Sequence, residues 1–194
     1  MLMPRAKPGS LRIIGGDWRS RKLPIAEVPG LRPTPDRVRE TLFNWLQTEI
    51  PGARCLDVFA GSGALGFEAA SRGAKEVVML EKDRLAGKVL AENIRLLKAG
   101  NIQLLQTDAM QWLETTGERF DIVFIDPPYA SELQAQTCRL LEQQHWLNDN
   151  AHIYLELSSQ QALPELPQNW QILKGKKAGE VGYYLFQRQQ QDQL

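Results

Sequence analysis

The tetrad Asp126-Pro127-Pro128-Tyr129 follows directly on Phe120-Asp121-Ile122-Val123-Phe124-Ile125, a run in which five of six residues are β-branched or aromatic. Such a run predicts a strand buried on both faces of a parallel sheet. Neither Pro127 nor Pro128 can donate to a ladder and each holds φ near about −65°, so the backbone past Asp126 is stiff and its carbonyls point outward. A carboxylate, outward acceptors and an aromatic ring on a rigid rim make a place to hold something flat.

Three further acids, Asp57, Glu81 and Asp108, lie in or at the end of apolar runs of their own. In an open parallel sheet, ligands bind outside the carboxyl ends of the strands, where the winding reverses. Between the first two acids lies Gly61-Ser62-Gly63, a turn that lets a ligand approach the backbone, although only the G-x-G part of a dinucleotide fingerprint is present. Glu81 follows the glycines by roughly 20 residues, the spacing at which an acid takes both hydroxyls of a ribose. Asp108 is placed to accept from an adenine amino group. No lysine follows the glycines as in a phosphate-binding loop, so a triphosphate is a poor candidate ligand.

The elements that must carry these residues alternate in type. Strands are predicted at residues 55–59, 76–81, 102–108, 120–125 and 151–157, and helices at 64–72, 83–97, 109–114 and from a cap at Ser131 through Leu133, Leu140 and Leu141. Gly73 and Gly100 are the expected stops of the first two of these helices. An earlier helix opens at Leu31-Arg32-Pro33-Thr34-Pro35-Asp36, with Thr34 as N-cap, and carries Val38, Leu42, Trp45 and Leu46 on one face. Strands separated by helices imply an α/β fold with a doubly wound, mostly parallel sheet. Residues 170–173 and 182–186 are too close for a crossover helix and should form an antiparallel hairpin, with Lys174, Lys176 and Lys177 in its connection.

The chain has no net charge, yet residues 1–40 hold nine basic side chains against four acidic ones, a surplus of five. A basic front end on an acidic body suits an anionic macromolecule met from one side. Residues 11–14 and 18–23 flank Gly15-Gly16-Asp17 and predict a hairpin studded with Arg12, Arg19, Arg21 and Lys22. These side chains, with Trp18 as a stacking ring, suit phosphate contact; a solvated ribbon is the plain alternative. Arg32, Arg37 and Arg39 divide in the same way between anion gripping and helix surface. Two domains are expected: a basic hairpin extension at 1–30, separable from the cofactor site, and a catalytic body at 31–194. Cys55 and Cys138 form no C-x-x-C and are expected to be reduced fillers, and His145 and His152 to be structural. No apolar leader or membrane span is evident, so a cytoplasmic protein without a metal is expected.

Taken together, Asp57-x-Phe59-x-Gly61-Ser62-Gly63, Glu81, Asp108-Ala109 and Asp126-Pro127-Pro128-Tyr129 resemble the motif set of class I S-adenosylmethionine-dependent methyltransferases. The segments Arg12-Ile13-Ile14-Gly15-Gly16, Leu31-Arg32-Pro33-Thr34 and Asp36-Arg37-Val38-Arg39-Glu40-Thr41-Leu42-Phe43-Asn44-Trp45 resemble the bacterial 16S ribosomal RNA guanine-N2 methyltransferases of the RsmD type. The resemblance implies a Rossmann-like, seven-stranded sheet with an antiparallel C-terminal strand. It further implies methyl transfer from S-adenosylmethionine to the exocyclic amine of one guanine in 16S rRNA, with the small ribosomal subunit as partner and a monomeric enzyme. Carried over residue by residue, it sets Asp57, Phe59, Gly61, Ser62, Gly63, Glu81, Lys82, Asp108 and Ala109 around the cofactor. Asp126, Pro127, Pro128 and Tyr129 fall on the target base.

The chemistry agrees with that implication. An exocyclic amine conjugated to a purine is a poor nucleophile, and two acceptors, the Asp126 carboxylate and the Pro127 carbonyl, can orient its lone pair while Tyr129 stacks on the base. The guanine must leave its stack to reach them. The competing readings are methylation of adenine N6 or of a protein glutamine, which more usually employ Asn where Asp126 stands, and a non-catalytic ribosome-assembly factor that binds RNA.

Overall fold

The computed structural model describes residues 9–128 and 133–190. Tyr129, the Ser131 cap and part of the basic front end therefore lie outside the described residues, as does the last stretch of the Gln-rich tail. Strands β1 (Ser10–Arg12) and β2 (Lys22–Pro24) form a two-stranded antiparallel sheet with Leu11 opposite Leu23. They are shorter than the sequence predicts, because Gly16 and Ser20 take positive φ and the chain between them coils into turns.

The main sheet comprises β3 (Arg54–Asp57), β4 (Glu76–Glu81), β5 (Ile102–Gln106), β6 (Phe120–Ile125), β7 (Leu147–Ser158), β8 (Trp170–Ala178) and β9 (Val181–Arg188). Its order is β5-β4-β3-β6-β7-β9-β8, and only β9 runs against its neighbours. The winding reverses between β3 and β6, which pair in parallel with Asp57 beside Phe124, so the ends carrying Asp57 and Asp126 are adjacent.

Alternation along the strands sorts the core into two layers. Cys55, Val77, Met79, Ile122, Phe124 and Tyr154 face the helices α1 (Asp36–Trp45), α2 (Ala64–Ser71) and α3 (Arg84–Leu97). Leu56, Val78, Val123, Ile125, Ile153 and Leu155 face α4 (Ala109–Leu113) and α5 (Leu133–Gln143). Both cysteines are buried and free, and burial pushes the Cys138 thiol up to about 12.

The hairpin is not a loose arm. Leu11, Ile13 and Leu23 are fully buried in the layer of α1–α3. The backbone N–H groups of Ile14 and Gly15 donate to the buried carboxylate of Glu68 on α2, both at 3.0 Å. Ser71 Oγ accepts from Trp18 N at 2.9 Å and donates to Gly15 O at 2.6 Å. A Cβ on Gly16 would stand 1.9 Å from Ser71 O, so only glycine permits this approach.

Three local expectations change. Thr34 does not cap α1: Pro35 occupies the cap position without a side-chain bond, and the Thr34 side chain turns away toward β6. The left-handed residue ending α3 is Lys98, at φ 52°, rather than Gly100. Lys174, Lys176 and Lys177 lie within strand β8, where ladder pairing with β9 continues to Ala178 opposite Val181, and the turn is confined to Gly179-Glu180.

Candidate active site

Asp57, at the end of β3, is 2% exposed and accepts from Gly66 N in α2 at 3.0 Å. Burial is the main cause that pushes its carboxyl up to about 7; the Gly66 N–H opposes this and the charge of Glu81 adds to it. After the strand, Gly61 and Gly63 take φ of 57° and 82°, which swings the chain tightly into α2. Ser62 is buried and its Oγ accepts from Ala64 N at 3.3 Å, while Phe59 is half-buried against the second layer.

Glu81, ending β4, accepts from Gly61 N at 2.7 Å and from Asp83 N at 3.0 Å, which ties the glycine turn to the neighbouring strand. Asp108, beyond β5, is the N-cap of α4: its Oδ1 accepts from Met110 N and Gln111 N, and its Oδ2 pairs with Lys82 Nζ at 3.0 Å. The hydrogen bond from Lys82 chiefly holds the Asp108 carboxyl below the ordinary carboxylate value. Ala109, next in the chain, is buried. All nine residues assigned to the cofactor thus fall at or just beyond the carboxyl ends of β3, β4 and β5.

Asp126 follows β6 at the same edge. Its Oδ2 accepts from Thr34 Oγ1 at 3.3 Å, and the register of β6 with β7, Ile125 beside Leu155, sets its carboxyl next to Glu156. Glu156 Oε2 in turn accepts from the hydroxyl of the buried Tyr154 at 2.8 Å. Burial, and then the charges of Glu156 and Asp57, hold the Asp126 carboxyl well above the ordinary carboxylate value; Glu156 is raised as well, again first by burial. Like charges on two neighbouring carboxyls disfavour ionising both, which is why the pair holds a proton more readily than an isolated carboxylate. Pro127 is buried and Pro128 exposed. A cleft of about 230 Å³ opens here, bounded by Asp126, Pro127, Glu156 and the start of β9 at Val181. A larger cavity, about 360 Å³, lies at the opposite, amino edge of the sheet beside Asp121 and His152, away from these carboxylates.

Of the basic residues, Arg12, Arg19, Arg21, Lys22, Arg32 and Arg37 are exposed. Arg39 is a correction. It is 1% exposed, and its guanidinium donates to Thr34 O at 3.1 Å, to Arg12 O at 2.9 Å and to the Asp36 carboxylate, with Glu68 nearby at 3.7 Å. It ties the hairpin, the α1 entry and α2 together and is closed to an RNA phosphate.

Thr34, Tyr154 and Glu156 enter the site without having been assigned to it from the sequence. The available signal is strand parity: Ile153, Leu155 and Leu157 belong to one face of β7, which leaves Tyr154 and Glu156 on the other, beside the end of β6.

The family model described as conserved hypothetical protein 95 matches residues 11–187. The chain is 51% identical over 183 residues to ribosomal RNA small subunit methyltransferase D of Escherichia coli strain K12, covering 94% of this chain and 92% of that one. The chain belongs to the ribosomal RNA small subunit methyltransferase D family. The relative of the same name from Haemophilus influenzae is 46% identical over 188 residues, covering 95% of this chain and 96% of its own. Among solved structures, a putative methyltransferase from Escherichia coli superposes with a TM-score of 0.89 at 48% identity, covering 94% of this chain and all of that one. A putative methylase from Haemophilus influenzae gives 0.82 at 42%, covering 94% and 100%. Membership makes the protein a methyltransferase and accords with its sheet order. No helix among the described residues is long and apolar enough to cross a membrane.

Proposed function

We propose that the protein methylates the exocyclic N2 amine of a guanine in 16S ribosomal RNA, with S-adenosylmethionine as methyl donor and the assembled small ribosomal subunit as substrate in the cytoplasm. The observation that carries this reading is the convergence of Asp57, Glu81, Asp108 and Asp126 on one sheet edge, in a chain whose relatives are named as small-subunit rRNA methyltransferases.

The residues at this edge fit the cofactor. Gly61 and Gly63 carry no side chain and take positive φ, which leaves the backbone of the turn open to close approach, and Glu81 and Asp108 are carboxylates suited to a ribose and an amino group. Asp57 suits the ammonium of the methionine part. When bound, S-adenosylmethionine supplies an electrophilic methyl on a positively charged sulfur.

The chain's own contribution is orientation and a proton acceptor. Asp126 and the Pro127 carbonyl each accept one N–H of the amine, which holds the nitrogen lone pair toward the methyl and away from the ring. Asp126 then takes the proton that the amine loses. Tyr129 is assigned to stacking on the base. Arg12, Arg19, Arg21, Lys22, Arg32 and Arg37 are assigned to phosphates, so that the hairpin of residues 1–30 serves RNA binding together with the entry to α1, and the rest of residues 31–194 serves catalysis.

The test is incubation of the purified protein and labelled S-adenosylmethionine with naked rRNA, with small subunits and with large subunits, all lacking the modification, followed by nucleoside analysis. N2-methylguanosine from small subunits is the expected product. Its absence from every sample sinks the reading, and N6-methyladenosine in its place would move the assignment to adenine.

A further inference from the structure

We infer that Glu156 is a specificity-determining residue of the base cleft, taking the N1–H of the target guanine while Asp126 takes an N2–H. The inference rests on the guanine reading above and goes beyond it, because it assigns the choice of base to a residue on a different strand from the Asp126 rim.

The geometry has three parts. Glu156 and Asp126 line the same cleft, which is the one opening beside Pro127. Each carboxyl is backed by a neutral hydroxyl that donates to it: Thr34 behind Asp126 at 3.3 Å and Tyr154 behind Glu156 at 2.8 Å. A hydroxyl donor fixes the orientation of a carboxylate and favours its ionised form. The parallel register of β6 with β7, Phe124 beside Tyr154 and Ile125 beside Leu155, also brings the two carboxyls next to one another.

Two adjacent carboxylates repel unless a donor lies on them, and without a base a shared proton fills that role. A guanine edge carries N1–H and the N2 amine side by side, which matches two acceptors in a row. The charges acting on Asp126 are those of Glu156 and Asp57, all of one sign. A cationic methyl donor held by the cofactor residues would offset them, and so would favour the doubly ionised pair that accepts both guanine hydrogens. Adenine and 2-aminopurine present a lone pair at N1, which would face the Glu156 carboxylate and be repelled. A site built around a substrate N–H rejects analogues that lack it far more strongly than apolar contact could.

The test uses small subunits reconstituted with guanine or 2-aminopurine at the position that the wild-type protein methylates; 2-aminopurine keeps the N2 amine but has no N1–H. The ratio of kcat/KM for guanine over 2-aminopurine should be at least about 100 for the wild type and should fall about tenfold or more in Glu156→Gln, whose amide can donate to the N1 lone pair. Fluorescence of 2-aminopurine reports entry of the base without methyl transfer, and Glu156→Gln should shift its titration to lower protein concentration. If Glu156→Gln does not melt cooperatively, Glu156→Asp serves instead, with a greater loss on guanine than on 2-aminopurine expected. A ratio unchanged by the substitution, including equal loss on both bases, overturns the assignment of Glu156. Absence of N2-methylguanosine from the wild-type reaction on guanine overturns the proposed function itself, so the two failures are distinguishable.

Discussion

Thr34 Oγ1 and Asp126 Oδ2 meet at 3.3 Å although 92 positions separate them in the chain. The hydroxyl belongs to the segment entering α1, and Arg39 holds that segment through Thr34 O while gripping Arg12 O of the hairpin with the same guanidinium. The carboxylate assigned to the amine is thus oriented by the amino-terminal part of the chain, the part that also carries the exposed arginines.

Removal of this donor should slow the reaction without disturbing the cofactor. A hydrogen bond to a charged group contributes roughly 1.5–3 kcal/mol. Thr34→Val, which keeps the shape, should therefore lower kcat by about 10- to 100-fold with the Kd for S-adenosylmethionine unchanged, while Thr34→Ser should restore most of the rate. Steady-state kinetics beside calorimetric titration of the cofactor will separate the two effects; a parallel loss of cofactor affinity would count against the assignment.

Asp126→Ala should lose far more turnover than cofactor binding. Loss of the acceptor for both orientation and proton predicts a drop of about 10²- to 10⁴-fold in single-turnover rate. Equal losses in rate and cofactor affinity would mean that Asp126 serves the cofactor rather than the base.

Burial of Asp57 predicts a specific pH dependence of stability. Its folded value of about 7 stands above the ordinary aspartate value of about 3.9, so its contribution is fully present below the latter and is lost as pH rises through about 7. Asp57→Asn removes the titrating group and can still accept from Gly66 N. The stability of the wild type relative to Asp57→Asn should fall as pH goes from about 5 to about 8, by up to about 3 kcal/mol. Thermal melts of both proteins across that range provide the check, and a constant difference would contradict the assignment.

The exposed charges of the hairpin are best tested by substitution. Deleting the front end would take Leu11, Ile13 and Leu23 out of the core and strip Glu68 of two backbone donors, so the expectation that this segment is separable from the body does not survive its burial. The triple change Arg19→Ala, Arg21→Ala and Lys22→Ala leaves the core alone. It should raise KM for the subunit and reduce the salt dependence of log KM by about two to three, with cofactor affinity intact. An unchanged salt slope would assign the phosphate contacts elsewhere.

Much of this architecture is legible in the residues because burial enforces period and length. β4 and β6 occupy the predicted 76–81 and 120–125, where apolar runs stop at a carboxylate. What the sequence hides are choices between partners. Thr34 before Pro35 has the form of a cap, but Asp126 lies within reach and takes the hydroxyl. Arg39 has the look of helix-surface charge, yet the hairpin folding over it closes off water and supplies Arg12 O as an acceptor, with Thr34 O as a second from the entry to α1. The lysines of residues 174–177 read as a connection because they are charged, whereas an edge strand tolerates charge on both faces. Glu156 is one carboxylate among many until the sheet order brings β7 beside β6.

The same edge strand has a consequence for how molecules meet one another. Among the described residues β8 ends the sheet with one side unpaired, and Ile172 and Leu173 are exposed upon it at 49% and 40%. An open apolar edge recruits a second strand and seeds aggregation. The register shift between Ile172 and Lys174 interrupts the ladder, and Lys174, Lys176 and Lys177 then set like charges against any identical edge that approaches. Neutralising these three lysines should leave the fold intact and make concentrated protein associate edge to edge.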